Sequence, residues 1–379
     1  MPRSSLRVAL VLESDGPAGA ENVVLDLAKA LRERGHTVCP VGPKHGHGWL
    51  GEKLRENGFE TSTFDLRTNS DRIVFRDIRL IKDLARIFKR LDVDVVHCHD
   101  FVAAVHGGIA ARLSGRPRVL TMHGHQTMCD AWRRRVALRW AFRHSQAVVA
   151  VSQATKTQLD HDLGLAPEAI QVVRNGVPVR TGQGDAIRQE LGVQRDELVI
   201  LAVGSLVERK GHIYLLRALQ SLTKEDLSTR WRLAIAGGWG GEERPKLETF
   251  VMEHDLADRV HLFTYRNDVP DLLAAADIFV MPSLWEGLPL AVLEAMQMGV
   301  CVIASETSGI PEAIVNEKHG LLTPPGDVTA LARSLKRVIQ DSELRNRLAT
   351  EGKARAMREF TIDAMTGAYE ALYHSACAR

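Results

Sequence analysis

The chain is 379 residues long, with apolar residues at 45% and charged residues at 25%. That is the make-up of a soluble globular protein, and it is too much chain for one ordinary core, so two domains are expected. No apolar run approaches the roughly 18 residues that a membrane-crossing helix needs, and the five scattered cysteines (Cys39, Cys98, Cys129, Cys301, Cys377) include no C-x-x-C pair. A disulfide frame and a zinc ribbon are thereby disfavoured, and a reducing, cytoplasmic compartment is expected.

The net charge of +2 is unevenly placed: residues 1–180 carry 27 Lys+Arg against 19 Asp+Glu, and residues 181–379 carry 22 against 28. A basic first half suits an anionic partner, with surface drift as the plain alternative. The opening MPRSSLRVALVLESDG reads as a first strand and not as a signal peptide.

Short β-branched runs alternate with longer amphipathic stretches. Strands are expected at 6–12, 94–98, 118–122 and 146–151, then at 198–204, 232–237, 260–264, 277–282 and 300–305. Helical periodicity falls at 20–34, 131–144, 213–222, 289–298, 327–340 and 362–376. Such alternation predicts an α/β protein with two doubly wound parallel sheets. Turn residues at 174–178 (RNGVP) and a linker-like TGQGD at 181–185 put the break in 174–190. Ligands of open α/β sheets bind beyond the carboxyl ends of the strands, so two such domains facing each other would form one cleft.

The residues after each strand are therefore the informative ones. The loop 15–21 (DGPAGAE) contains small residues and enters a helix, which suits close approach to a phosphate; it is not G-x-G-x-x-G, which argues against a nicotinamide cofactor. HCHD at 97–100 and HGH at 123–125 raise the possibility of a metal site from His97, His99, His123 and Asp100. The alternation of side chains along a strand is taken to separate His97 from His99, and a single histidine, His123, donating to developing negative charge is preferred. In the basic stretch 131–144, Arg135, Arg139 and Arg143 form a column flanked by Trp132, Val136 and Trp140 and by Leu138 and Phe142. This column suits an anionic membrane surface or lipid-linked acceptor, or is the solvated side of a packed helix. Aromatic residues are few and not interleaved with the basic ones, so nucleic acid is not an expected partner.

In the second half, Gly204 ends a strand where a missing side chain admits a ligand, and Arg209 and Lys210 follow as paired cations. Further on, SLWEGLPLAVLEAMQM (283–298) turns at Glu286-Gly287, with Pro289 expected in the first helical turn. The helix start around Leu288 and Leu290 offers N–H groups to a diphosphate, and Glu294, one turn later, suits ribose hydroxyls. An ordinary βα unit with solvated glutamates is the alternative.

Taken together these segments resemble glycosyltransferase family 4. The resemblance rests on 277–325 with Glu286 and Glu294, the Glu-Arg-Lys-Gly loop (208–211), AIAGG (234–238), Asn175-Gly176-Val177, the loop ending Ala20-Glu21, and His123-Gly124. It covers nearly the whole chain. It implies the GT-B fold, with two Rossmann-like domains: an acceptor-binding 1–180 to which the helix 362–379 returns, and a donor-binding 181–361. It implies that Arg209 and Lys210 hold the donor diphosphate, Glu294 the ribose and Glu286 the transferred sugar. His123 would lie beside sugar and leaving phosphate, and Gly19 would let the first loop close. Family members keep the anomeric configuration and need neither metal nor cofactor.

Two departures stand out: TSGIP at 307–311, where many members have paired glycines, and the inserted-looking Trp239-Gly240-Gly241. The expected partners are a nucleotide-diphosphate sugar, a glycan or lipid-linked acceptor, and the inner face of the cytoplasmic membrane. A 2-epimerase-like isomerase and a non-catalytic sugar-nucleotide-binding module are the alternatives on the same fold.

Overall fold

The computed structural model describes residues 5–44, 48–66, 78–124, 131–166, 168–223, 229–238 and 241–378. The chain divides into two compact units, Met1–Gly176 with Ile362–Arg379, and Val177–Thr361.

The first unit contains β1 (Arg7–Leu12), β2 (Thr37–Pro43), β3 (Ser62–Phe64), β4 (Val95–His99), β5 (Arg118–Met122), β6 (Ala147–Ala150) and β7 (Gln171–Val172). They form one parallel sheet in the order β3-β2-β1-β4-β5-β6-β7. The order reverses between β1 and β4, whose carboxyl ends are followed by Glu13 and Asp100. Ala9, Val11, Val96, Cys98 and Leu120 pack with Leu84 and Phe88 of the helix Ile78–Arg90.

The opposite side of this sheet receives the helix Ile362–Cys377, whose Tyr369 and Tyr373 are fully buried. Tyr373 Oη lies 2.7 Å from His97 Nδ1, and Thr121 Oγ1 donates to Tyr369 Oη at 3.1 Å. At the edge, Leu6 N–H donates to His36 Nδ1 (3.1 Å), which leaves His36 Nε2–H to donate to Glu370 at 2.8 Å. Arg34 completes this contact by pairing with Glu370 and Asp363.

The second unit repeats the plan with β8 (Glu197–Val203), β9 (Arg230–Ala236), β10 (Val260–Phe263), β11 (Ile278–Met281), β12 (Cys301–Ser305) and β13 (Leu321–Thr323). Their parallel order is β10-β9-β8-β11-β12-β13, with the reversal between β8 and β11. Residues such as Ile200, Leu233, Val280 and Ile303 meet Leu215, Leu219 and Leu335 from the helices His212–Leu222 and Val328–Gln340.

Nine strands lie within a residue or two of expectation. β2, β3, β7 and β13 were not expected. β2 carries Pro40 and Pro43 yet pairs on both sides, and the other three are two or three residues long, too short to show a period. Cys39, Cys98, Cys301 and Cys377 are free thiols; Cys129 lies outside the described residues.

Candidate active site

In the second unit the site forms at the reversal between β8 and β11, where α/β sheets bind ligands. β8 ends at Val203, one residue before the expected end, and Gly204 follows with its N–H on Ala236 O at 3.0 Å. A methyl on Gly204 would touch the Lys210 stem at 3.4 Å, so the glycine lets that side chain lie along the strand end. A short turn Glu208–Lys210 then closes at Gly211, whose φ of +67 and whose approach to Pro282 O leave no room for a side chain.

From the end of β11 comes the partner of these cations. Glu286 is buried, and its Oε1 accepts from Lys210 Nζ at 2.6 Å and from Ser283 Oγ at 2.7 Å. Arg209 lies 3.7 Å from the other oxygen and stays the more exposed of the two cations. Burial alone would raise the Glu286 carboxyl. The charges of Lys210 and Arg209, with the Lys210 and Ser283 hydrogen bonds, outweigh burial and hold it below its ordinary value.

Gly287 and Leu288 are buried and lead into the helix Leu290–Met298. Pro289 is the cap residue, one position earlier than expected; its ψ of 124 keeps it outside the first turn, and no side chain caps the N-terminus. Glu294 lies 3.4 Å from Arg180 Nε. Thus Gly204, Arg209, Lys210, Glu286, Gly287, Leu288, Pro289, Leu290 and Glu294 belong to one unit, and a buried carboxylate holds two cations beside an uncapped helix start. Sequence reasoning missed Ser283 and Arg180, and marked Ser308 only as part of the departure at 307–311. Ser308 takes φ +49 and its Oγ accepts the Glu286 N–H at 3.4 Å. Trp239 and Gly240 lie outside the described residues.

Gly19 and His123 belong to the first unit. Gly19 opens the helix Gly19–Glu33, with nothing within 4 Å of where a Cβ would stand. His123 follows β5; its backbone N–H donates to Asp100 Oδ1 at 2.9 Å and its Nε2 lies 2.9 Å from His99 Nδ1. The expectation that His97 and His99 face opposite ways is wrong: residues two apart on a strand share a face, and the rings are 4.0 Å apart. Both are fully buried. Among the described residues no three His, Cys, Asp or Glu side chains converge to hold an ion. Burial lowers His97 to about 3 and His123 to about 4, and His99 falls well below its ordinary value.

Glu13 is the residue here that sequence reasoning missed; its position directly after β1 was the available signal. Its two oxygens accept the N–H groups of Val102 and Ala103, each at 3.1 Å. Desolvation, then the charge of Asp100, raises Glu13 to about 8, and desolvation raises Asp100 to about 6. Asp100 itself adopts φ +63. A cavity of about 340 Å³, lined by Leu10, Leu12, Val24, Leu50 and Leu54 with Lys44 and Arg55, opens in the same unit.

The helix Trp132–Arg143 buries Ala137, Leu138, Ala141 and Phe142 and leaves Trp132 63% and Val136 49% exposed. Arg135 and Arg143 are exposed and Arg139 is partly so. None of the three forms an ion pair among the described residues, and among those residues no helix is long and apolar enough to cross a membrane.

Residues 17–181 match the family model described as Glycosyltransferase Family 4, and residues 183–355 match that of Glycosyl transferases group 1. The UDP-Gal:alpha-D-GlcNAc-diphosphoundecaprenol alpha-1,3-galactosyltransferase of Escherichia coli is 32% identical over 71% of this chain and 74% of its own length. The lipopolysaccharide core biosynthesis glycosyltransferase LpsE of Rhizobium meliloti is 30% identical over 93% of this chain and 94% of its own. Among solved structures, Anabaena Alr3699/HepE in complex with UDP and glucose matches with a TM-score of 0.84 at 23% identity, over 97% of this chain and 98% of that one, and shares the GT-B fold.

Proposed function

The chain belongs to glycosyltransferase family 4, and from that premise we propose that it moves a sugar from a nucleoside-diphosphate donor to a glycan or lipid-linked acceptor, with retained anomeric configuration and no metal ion. The observation that carries the donor reading is the convergence of Lys210 and Arg209 on buried Glu286 beside an uncapped helix start. In this reading the two cations take the diphosphate, Glu286 meets hydroxyls of the transferred sugar and Glu294 those of the ribose.

Cleavage of the bond between anomeric carbon and diphosphate leaves positive charge on the sugar and negative charge on phosphate. Lys210, Arg209 and the N–H groups at Leu290 receive the negative charge without reorganising, which is worth about 3 kcal/mol for each good donor. In this reading His123 donates a hydrogen bond to the transferring sugar, Gly19 lets the first loop approach the phosphate, and a leaving-group oxygen takes the acceptor's proton as the acceptor attacks from the departing face. The name of the E. coli relative and the ligand of the Anabaena structure make uridine diphosphate sugars the first donors to try. The names of the two relatives favour an acceptor of bacterial cell-surface glycan or lipopolysaccharide assembly. Arg135, Arg139 and Arg143 with exposed Trp132 suit peripheral contact with the anionic inner face of the cytoplasmic membrane.

Thermal shift with uridine, guanosine and adenosine diphosphate sugars, in chelator, tests the donor site. A rise with one donor that Lys210→Ala abolishes supports it, since only a ligand of the native state raises Tm. A rise that requires divalent metal, or none with any donor, defeats it. Consumption of donor without acceptor would favour an isomerase.

A further inference from the structure

His99 and His123 meet edge to edge: their nitrogens are 2.9 Å apart, the ring centroids 5.1 Å apart, and the planes differ by 19°. That is an in-line hydrogen bond between two imidazoles, and it holds a single proton. If His123 donated through Nε2, then His99 Nδ1 would be the acceptor and neutral His99 would carry its own proton on Nε2. His99 Nε2 is buried and has no hydrogen-bond partner among the described residues. An N–H there would be an orphaned donor in the core, the rarer and costlier kind of unsatisfied group. With the proton on His99 Nδ1 instead, only a lone pair is left unpaired there.

We infer that His99 is a positioning residue that donates through Nδ1 to His123 Nε2 and thereby fixes His123 in the tautomer with its proton on Nδ1, the edge it offers as a hydrogen-bond donor. The other nitrogen of a histidine sets its tautomer through the bond it makes. The surroundings hold the pair still. Thr121 spends its hydroxyl proton on Tyr369, so its oxygen accepts from His97 Nε2–H at 2.7 Å, and His97 Nδ1 accepts from Tyr373 O–H. His97, anchored at both nitrogens, lies against the His99 ring. Asp100 fixes the His123 backbone from the other side. Burial keeps the three rings neutral, so the shared proton is not joined by a second. A neutral histidine donates to developing charge without itself having to lose charge to solvent.

This assignment concerns the role given to His123 in the transfer reaction and rests on that reading for its catalytic meaning; the tautomer is observable without it. Long-range proton–nitrogen correlation spectra of the 15N-histidine-labelled full chain read it directly. Expected are a pyrrole-like Nδ1 and a pyridine-like Nε2 on both His99 and His123, assigned with His99→Asn and His123→Asn. A pyrrole-like Nε2 on His123 overturns the inference, and this holds even if every His99 variant fails to fold.

In acceptor-dependent turnover, His99→Leu should lower kcat by about 100-fold with donor KM nearly unchanged, the usual scale for loss of a positioned proton donor. His99→Asn keeps an N–H close to the Nδ1 position and should stay within an order of magnitude of the wild type. Equal losses in both variants, or no loss in either, overturn the positioning role. Absence of turnover in the wild type with every nucleoside-diphosphate sugar defeats the transferase reading instead, and leaves the spectrum to decide the tautomer.

Discussion

The Lys210 ammonium stands 2.6 Å from the Glu286 carboxylate, and each side chain keeps little of its surface in water, 12% and 7%. The pair therefore serves stability and donor binding together, and the two can be separated. Lys210→Ala leaves a buried carboxylate with Ser283 and the more distant Arg209, and should cost about 3 kcal/mol. Adding Glu286→Gln removes the stranded charge and should return most of that stability. Activity should stay at least about 100-fold down in both the single and the double variant. Denaturant melts beside turnover assays check this; recovery of turnover in the double variant would show that Lys210 matters only as a counter-ion.

The same pair has a pH signature. Glu286 is held below its ordinary 4.5, so its contribution is complete above that pH and is lost as pH falls through the lower, native value. In Lys210→Ala the acid limb of a stability profile between pH 5 and pH 3 should be shallower.

Glu13 works in the opposite sense. Raised to about 8, it holds a proton in the native state between its ordinary 4.5 and 8 that the unfolded chain has released, so its contribution to stability declines as pH rises through that window. Glu13→Gln cannot release a proton. Whatever its constant offset, its Tm relative to wild type should improve steadily from pH 5 to pH 8. A difference that is flat across this range would mean that Glu13 is ionised throughout.

Ser308 holds a left-handed backbone at φ +49, a conformation that costs a non-glycine residue about 1–2 kcal/mol, and its hydroxyl makes two long contacts, with the Glu286 N–H at 3.4 Å and with Thr307 Oγ1 at 3.3 Å. Ser308→Gly should therefore stabilise the chain by about 1 kcal/mol, seen as a Tm rise of about 2–4 °C. A fall in Tm would show that these contacts outweigh the strain.

On the helix Trp132–Arg143, replacing Arg135, Arg139 and Arg143 together by Gln leaves the buried face of Ala137, Leu138, Ala141 and Phe142 intact. Tm should hold while co-sedimentation with phosphatidylglycerol vesicles falls. Leu138→Ala should do the reverse, costing about 2–5 kcal/mol. Unchanged sedimentation of the triple variant would remove the membrane contact from the proposed function.

The sequence made the long elements legible because their periods are long enough to read: β8, β9 and the helices His212–Leu222 and Val328–Gln340 lie within two residues of expectation. β2 was hidden by Pro40 and Pro43, residues that argue against an interior strand, though its neighbours pair with it all the same. At the site, Arg209, Lys210 and Glu286 stood out as charges in the loops that follow strands. Ser283 did not, because a hydroxyl three positions away announces nothing until the fold brings it to the carboxylate, and Ser308 stood out only as a departure from paired glycines, twenty-two positions from the carboxylate whose N–H it meets. The error over His97 and His99 was one of counting: a period of two puts them together. Glu13 was readable from its place after β1, whereas its half-buried position near the charge of Asp100 depends on the sheet order.

The helix Ile362–Cys377 lies in sequence beyond all of Val177–Thr361, yet it fills the back of the first sheet with Tyr369 and Tyr373. During synthesis the second unit emerges whole and can close its own core while the first still waits for these side chains. His97 and Thr121 remain without their tyrosine partners for that interval, and the back of β4 and β5, where these polar groups lie, is open to water or to a chaperone. The first unit is therefore begun first on the ribosome and finished last.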